Sequence, residues 1–162
     1  NKKLERNYDK TSQMLTDVPR SMPALMRAAK LQKRAAKIGF DWPSAQGARA
    51  KMQEELAELE QELARREESE VPSADKEVER DVQAEAGDLL FAVVNYLRLN
   101  KIEPESALSG CSESFIRRFQ SMEEIAAEEG QDLDSGLSLE ELDSFWDEAK
   151  RRERQEDKNE IG

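Results

Sequence analysis

Between Ala84 and Leu99 lies one of the most apolar stretches of an otherwise very polar chain, and it carries two carboxylates, Glu85 and Asp88. On a helix, at about 100° per residue, Val82, Ala86, Leu89, Leu90, Val93, Val94 and Leu97 form one wide apolar face. Glu85, Asp88, Ala92 and Asn95 line up as a separate stripe. Burying unpaired carboxylates is costly, so that stripe must face a cation, a hydrogen-bond donor or a water-filled cleft. A second acidic pair lies upstream. There Ala45, Ala48, Met52, Leu56, Leu59 and Leu63 make the apolar stripe, and Lys51, Glu55, Glu58 and Glu62 run along its margin, with Glu54 pointing the other way. Two helices packed through these stripes would gather Glu55, Glu58, Glu85 and Asp88 as four oxygen donors, the ligand set that hard divalent cations such as Mg²⁺ prefer.

Spacing alone proves little in a chain with 36 acidic residues among 162, and Glu129/Asp132, Glu140/Asp143 and Glu153/Glu156 repeat it on what reads as solvated surface. The two pairs singled out differ because they border apolar stripes. Few Gly and Pro residues, many helix formers and no run of alternating β-branched or aromatic residues make the expected fold all-α, a four- to five-helix bundle. A net charge of −11 argues against a sequence-independent nucleic-acid binder. Lys30, Lys33, Arg34 and Lys37 alternate with apolar residues and read as a solvated helix face, a basic patch for phosphate being the lesser alternative. Cys111 is the only cysteine, which favours a cytoplasmic setting without disulfides, and its apolar neighbours Leu108, Phe115 and Ile116 suggest a buried thiol. Histidine is absent, which removes His-based acid–base catalysis and most zinc sites and leaves carboxylate–Mg²⁺ chemistry. No long apolar run points to a membrane span.

Residues 1–20 read as a polar tail or linker, 21–150 as the folded domain and 151–162 as a frayed charged tail. Helices are expected over 21–39, 44–66, 75–100 and from 104 to just before Gly130, with 40–43 as a loop carrying Phe40 and Trp42 and 68–73 as a helix breaker. Ser138 and Glu141 form a capping box for a short last helix holding Leu142, Phe145, Trp146 and Ala149. The apolar stripes exceed what one thin layer of helices covers, so a homodimer is expected.

Five segments then stand out in order: Lys37-Ile38-Gly39-Phe40-Asp41-Trp42-Pro43; Glu54-Glu55-x-x-Glu58; Glu85-x-x-Asp88-Leu89-Leu90-Phe91; Phe115-x-x-Arg118-Phe119; and Leu137-x-Leu139-x-x-Leu142-x-x-x-Trp146-x-x-x-Lys150. Together they cover about residues 18–152 and resemble the MazG family of nucleoside triphosphate pyrophosphohydrolases, in the all-α NTP pyrophosphatase superfamily that also holds dimeric dUTPases. The segment 17–25 is similar to the junction leading into the C-terminal domain of two-domain members. The resemblance implies a dimerising helical bundle that hydrolyses a nucleoside triphosphate to the monophosphate and pyrophosphate. It implies Mg²⁺, with Mn²⁺ as a substitute, on Glu55, Glu58, Glu85 and Asp88, with Glu54, Glu55 and Glu58 as the catalytic carboxylates. Lys51 and Arg118 would offset phosphate charge, and Lys150, Trp146 and Trp42 are the further expected substrate contacts, with Trp146 read equally as a core residue and Trp42, like Phe40, divided between loop packing and base contact. Ser114 and Asp81 stand where the family commonly has basic residues, which weakens the expected hold on a triphosphate. The rival expectation is a catalytically weakened helical dimer that binds nucleotide or a partner.

Overall fold

A computed structural model describes residues 12–68 and 76–160, and every regular element within them is an α-helix. In order these are α1 (Gln13–Thr16), α2 (Ala24–Ala36), α3 (Ala45–Glu68), α4 (Lys76–Leu99), α5 (Pro104–Glu128) and α6 (Leu139–Glu160). They group into two compact units, one ending at Ala107 and the other beginning at Leu108. Of the breaker expected over 68–73, Glu68 still belongs to α3, and residues 69–73, like the first eleven residues of the expected tail, lie outside the described residues.

In the first unit α3 and α4 pack side by side, α2 packs on α4, and α1 on α2. Small residues permit the close approach: Ala29 on α2, Ala48 on α3 and Ala92 on α4 are all buried, together with Val78, Val82 and Val94. Residues 12–20 are not the free linker expected of them. Val18 is buried, and the Arg34 guanidinium donates a hydrogen bond to the Met14 carbonyl, which ties this segment to α2. The broad apolar face read for α4 is only partly covered. Leu90 of that face is exposed, and so is Phe91 beside it, while Ala92, assigned to the polar stripe, is buried, because two neighbouring helices can shield only part of a wide face.

The second unit is a helical hairpin from the rest of α5 and all of α6. Its core is Met122, Ile125, Ala126, Phe145 and Ala149, flanked by Leu133, Leu137, Leu142 and Trp146. Gly130, at φ +71°, ends α5, and the Gln131 amide returns 2.8 Å to the Ala126 carbonyl. The capping box forms as read: the Glu141 amide donates to Ser138 Oγ at 3.2 Å, and Ser138 N–H donates to Glu141 Oε2 at 2.8 Å. The last helix is neither short nor followed by a frayed tail, since α6 runs to Glu160. Its charges are paired rather than loose: Arg152 reaches Glu128 across the hairpin at 2.8 Å, and Arg151 and Arg152 share Glu148. Cys111 is exposed, not buried, and so are Leu108, Phe115 and Ile116 beside it on α5.

Candidate active site

Helical period places Glu55 and Glu58 one turn apart on α3, and the packing of α4 against α3 brings Glu85 to them. A carboxylate oxygen of each lies within 4.8 Å of the other two. Glu55 is 6% exposed, while Glu58 and Glu85 are half-buried. The Glu58 carboxyl holds its proton more readily than an ordinary glutamate, first through a hydrogen bond with Glu55 and then through burial and the Glu55 charge. Such mutual repulsion is relieved by a cation. Three converging carboxylates with no nitrogen or sulfur donor fit a hard divalent metal such as Mg²⁺.

Lys51, one turn before Glu55, answers part of this charge. Its ammonium lies 2.8 Å from Glu54 and 2.6 Å from Glu55, and these two contacts raise its proton affinity. Glu54 is exposed.

Beside the carboxylates a cavity of about 680 Å³ opens between α2, the 39–42 loop, α3 and α4. Glu55, Lys51 and Asp88 lie along its lining, as do the aromatic rings of Phe40, Trp42 and Phe91. The loop is pinned from α4. Arg98, whose side chain is 9% exposed, donates to both oxygens of Asp41, with Nη1 at 3.1 Å from Oδ2, and this contact holds the Asp41 carboxyl below the usual carboxylate range. Buried Gln32 on α2 donates through Nε2 to the Phe91 carbonyl at 2.8 Å, which joins α2 to α4 behind the cavity.

No family model matches the chain. It is 35% identical over 148 residues to a Thermotoga maritima protein named nucleoside triphosphate pyrophosphohydrolase/pyrophosphatase MazG, an alignment covering 91% of this chain and 52% of that protein. It is 39% identical over 149 residues to an Escherichia coli protein named nucleoside triphosphate pyrophosphohydrolase, covering 92% of this chain and 53% of the relative. An uncharacterized Bacillus subtilis protein, YabN, is 46% identical over 153 residues, 94% of this chain and 29% of that one. The chain is a relative of the MazG proteins. It spans about half the length of the Thermotoga and Escherichia relatives.

The MazG-like segments fall on the elements just described. Residues 37–43 make the cavity loop, 54–58 lie on α3, and 85–91 lie on α4. Of the four expected metal ligands, Glu55, Glu58 and Glu85 converge, and Asp88, exposed one turn beyond Glu85, lines the cavity without joining that group of three. Lys51 and Trp42 also line the cavity. Arg118, Trp146 and Lys150 belong to the second unit. There Arg118 lies over the Trp146 ring, 5.8 Å from its centre, and donates to Glu153 at 2.7 Å, while Lys150 pairs with Asp147. At Asp81 the expected basic group is replaced by a pairing, since Arg65 of α3 donates to it at 2.8 Å.

Sequence reading overlooked Arg98 and Gln32. Arg98 was within reach, because it continues the stripe Glu85, Asp88, Ala92, Asn95 by one more three-residue step. Its partner Asp41 was not, since a loop-to-helix ion pair 57 residues apart leaves no local period.

Proposed function

We propose that this chain hydrolyses nucleoside triphosphates to the monophosphate and pyrophosphate, using Mg²⁺ held by Glu55, Glu58, Glu85 and Asp88. The observation that carries this is the convergence of three carboxylates beside a cavity of a size suited to a small ligand. Relatives named as pyrophosphohydrolases support it.

A divalent cation bound there would offset phosphate charge and make water a stronger nucleophile near neutral pH. The chain's own residues supply the rest. Asp88 and Lys51 face the triphosphate from the cavity wall, and the loop bearing Phe40 and Trp42 takes the base. Glu55, or the exposed Glu54 beside it, receives the proton of the attacking water. The water oxygen bonds to the α-phosphorus as the bond to the pyrophosphate oxygen breaks. The exposed apolar side chains Leu108, Phe115, Ile116 and Phe119 serve self-association as a homodimer.

The test is product analysis with Mg²⁺ present. Wild-type protein should convert nucleoside triphosphates to monophosphate and pyrophosphate, and Glu58→Gln and Asp88→Asn should each lower kcat by a hundredfold or more, on the order of the loss seen when one polar group is removed from a reacting centre. Circular dichroism should show helix content retained. Normal turnover in either variant, or release of nucleoside diphosphate and inorganic phosphate, overturns the proposal.

A further inference from the structure

Phe40 is 80% exposed, yet it lines the cavity beside the carboxylates. Its ring offers a free apolar face at the opening. Trp42, two residues on, is less free, because its ring rests on α3: a Cβ added at Gly47 would lie 2.7 Å from the Trp42 Cε3 atom. The backbone that carries Phe40 is fixed. Gly39, at φ +86°, turns the chain out of α2, and the Phe40 amide donates back to the Ala35 carbonyl at 3.2 Å.

Asp41 supplies the side-chain tether. Its carboxylate takes the Arg98 guanidinium, and Arg98 is steadied in turn by Nε donating to Asn95 Oδ1 at 3.2 Å. Arg98 and Asn95 stand on α4, the helix that also carries Glu85 and Asp88. One rigid element therefore sets both the carboxylates and the loop. A flat ring covering Phe40 would lie within the same cavity as Asp88 and Glu55.

We infer that Phe40 stacks on the base of a bound nucleoside triphosphate, and that Asp41 and Arg98 are the positioning pair that holds it there. This rests on the hydrolase reading above and adds the residue that recognises the base. Stacking of a base on an aromatic side chain contributes enough that truncation weakens binding roughly tenfold. It is also tolerant of base identity, so Phe40 sets affinity for the nucleoside rather than choice among bases.

The experiment titrates the full chain, with Mg²⁺, against two probes: the α,β-methylene analogues of the common nucleoside triphosphates, which cannot lose pyrophosphate, and inorganic tripolyphosphate, which has no base. Phe40→Ala should weaken the nucleotide analogues about tenfold and leave tripolyphosphate unchanged, with Phe40→Trp restoring the loss. Because the ring is exposed, its truncation leaves the core intact. Asp41→Asn should weaken the analogues by a smaller factor, and Phe40→Ala added to it should cost less than it does alone, as coupled positions require. Equal affinity of wild type and Phe40→Ala for the analogues overturns the inference, as does an equal loss for tripolyphosphate or a wild type that binds no analogue. Analogue binding that depends on Phe40, in a protein that never splits the natural nucleotides, would leave this inference standing and remove the hydrolase reading.

Discussion

A carboxylate keeps its charge cheaply only while water reaches it, and Glu55 has lost most of that water. Lys51 at 2.6 Å replaces part of the lost solvation, and Glu58 answers by holding its proton more tightly. These relations were legible because they follow from i, i+3 and i, i+4 spacing on one helix. The contact of Trp42 with Gly47 was not, since it depends on how the loop folds back on α3. It yields a prediction at the same scale. Gly47→Ala gains helix propensity of about 1 kcal/mol, but its new methyl collides with the indole, so the ring must move outward rather than the helix backbone. In a Trp146→Phe background the emission of Trp42 should shift to the red with little change in melting temperature. Unchanged emission would mean that the ring does not rest on Gly47.

Among the elements, helix type and order were readable from α2 onwards, whereas α1, in a segment read as a polar tail, was not, and helix ends were readable only where a cap marks them. Ser138 with Glu141, Gly39 and Gly130 were such marks, and each stands where a helix begins or ends. Nothing comparable marks the end of α6. Its C-terminal half looked like a tail because its charges seemed loose, yet Glu148 is shared by Arg151 and Arg152, and Arg152 also holds Glu128. The two arginines bring the Glu148 carboxyl from its ordinary 4.5 down to about 2, and Arg152 lowers Glu128 as well. The sign follows directly. A folded-state value below the unfolded one stabilises the helix fully above about pH 4.5, and the contribution disappears as pH falls towards 2. In a Trp42→Phe background, Trp146 fluorescence should therefore report a melting temperature of the hairpin that falls over this range, and Glu148→Gln should flatten the fall. An equally steep fall in the variant would place the acid sensitivity elsewhere.

For the whole molecule, patterning told which residues are apolar but not which of them a single chain covers. Cys111 shows the difference: its apolar neighbours suggested a core, and instead it shares an open face of α5 with Leu108, Phe115 and Ile116, the last three each about half exposed. Isolated apolar residues on a surface need no explanation, but a row of large ones along one helix marks a surface made to be covered. In an isologous pair the same patch covers itself, so one exposed face suffices for two chains. Sedimentation equilibrium at micromolar concentration should accordingly give the mass of two chains. Leu108→Glu with Ile116→Glu should give one, because a charge brought into a desolvated interface is left without a partner. Helix content should persist in that variant, since neither side chain belongs to the Met122–Ile125–Phe145 core. A wild type that sediments as a single chain would leave the α5 face without this role.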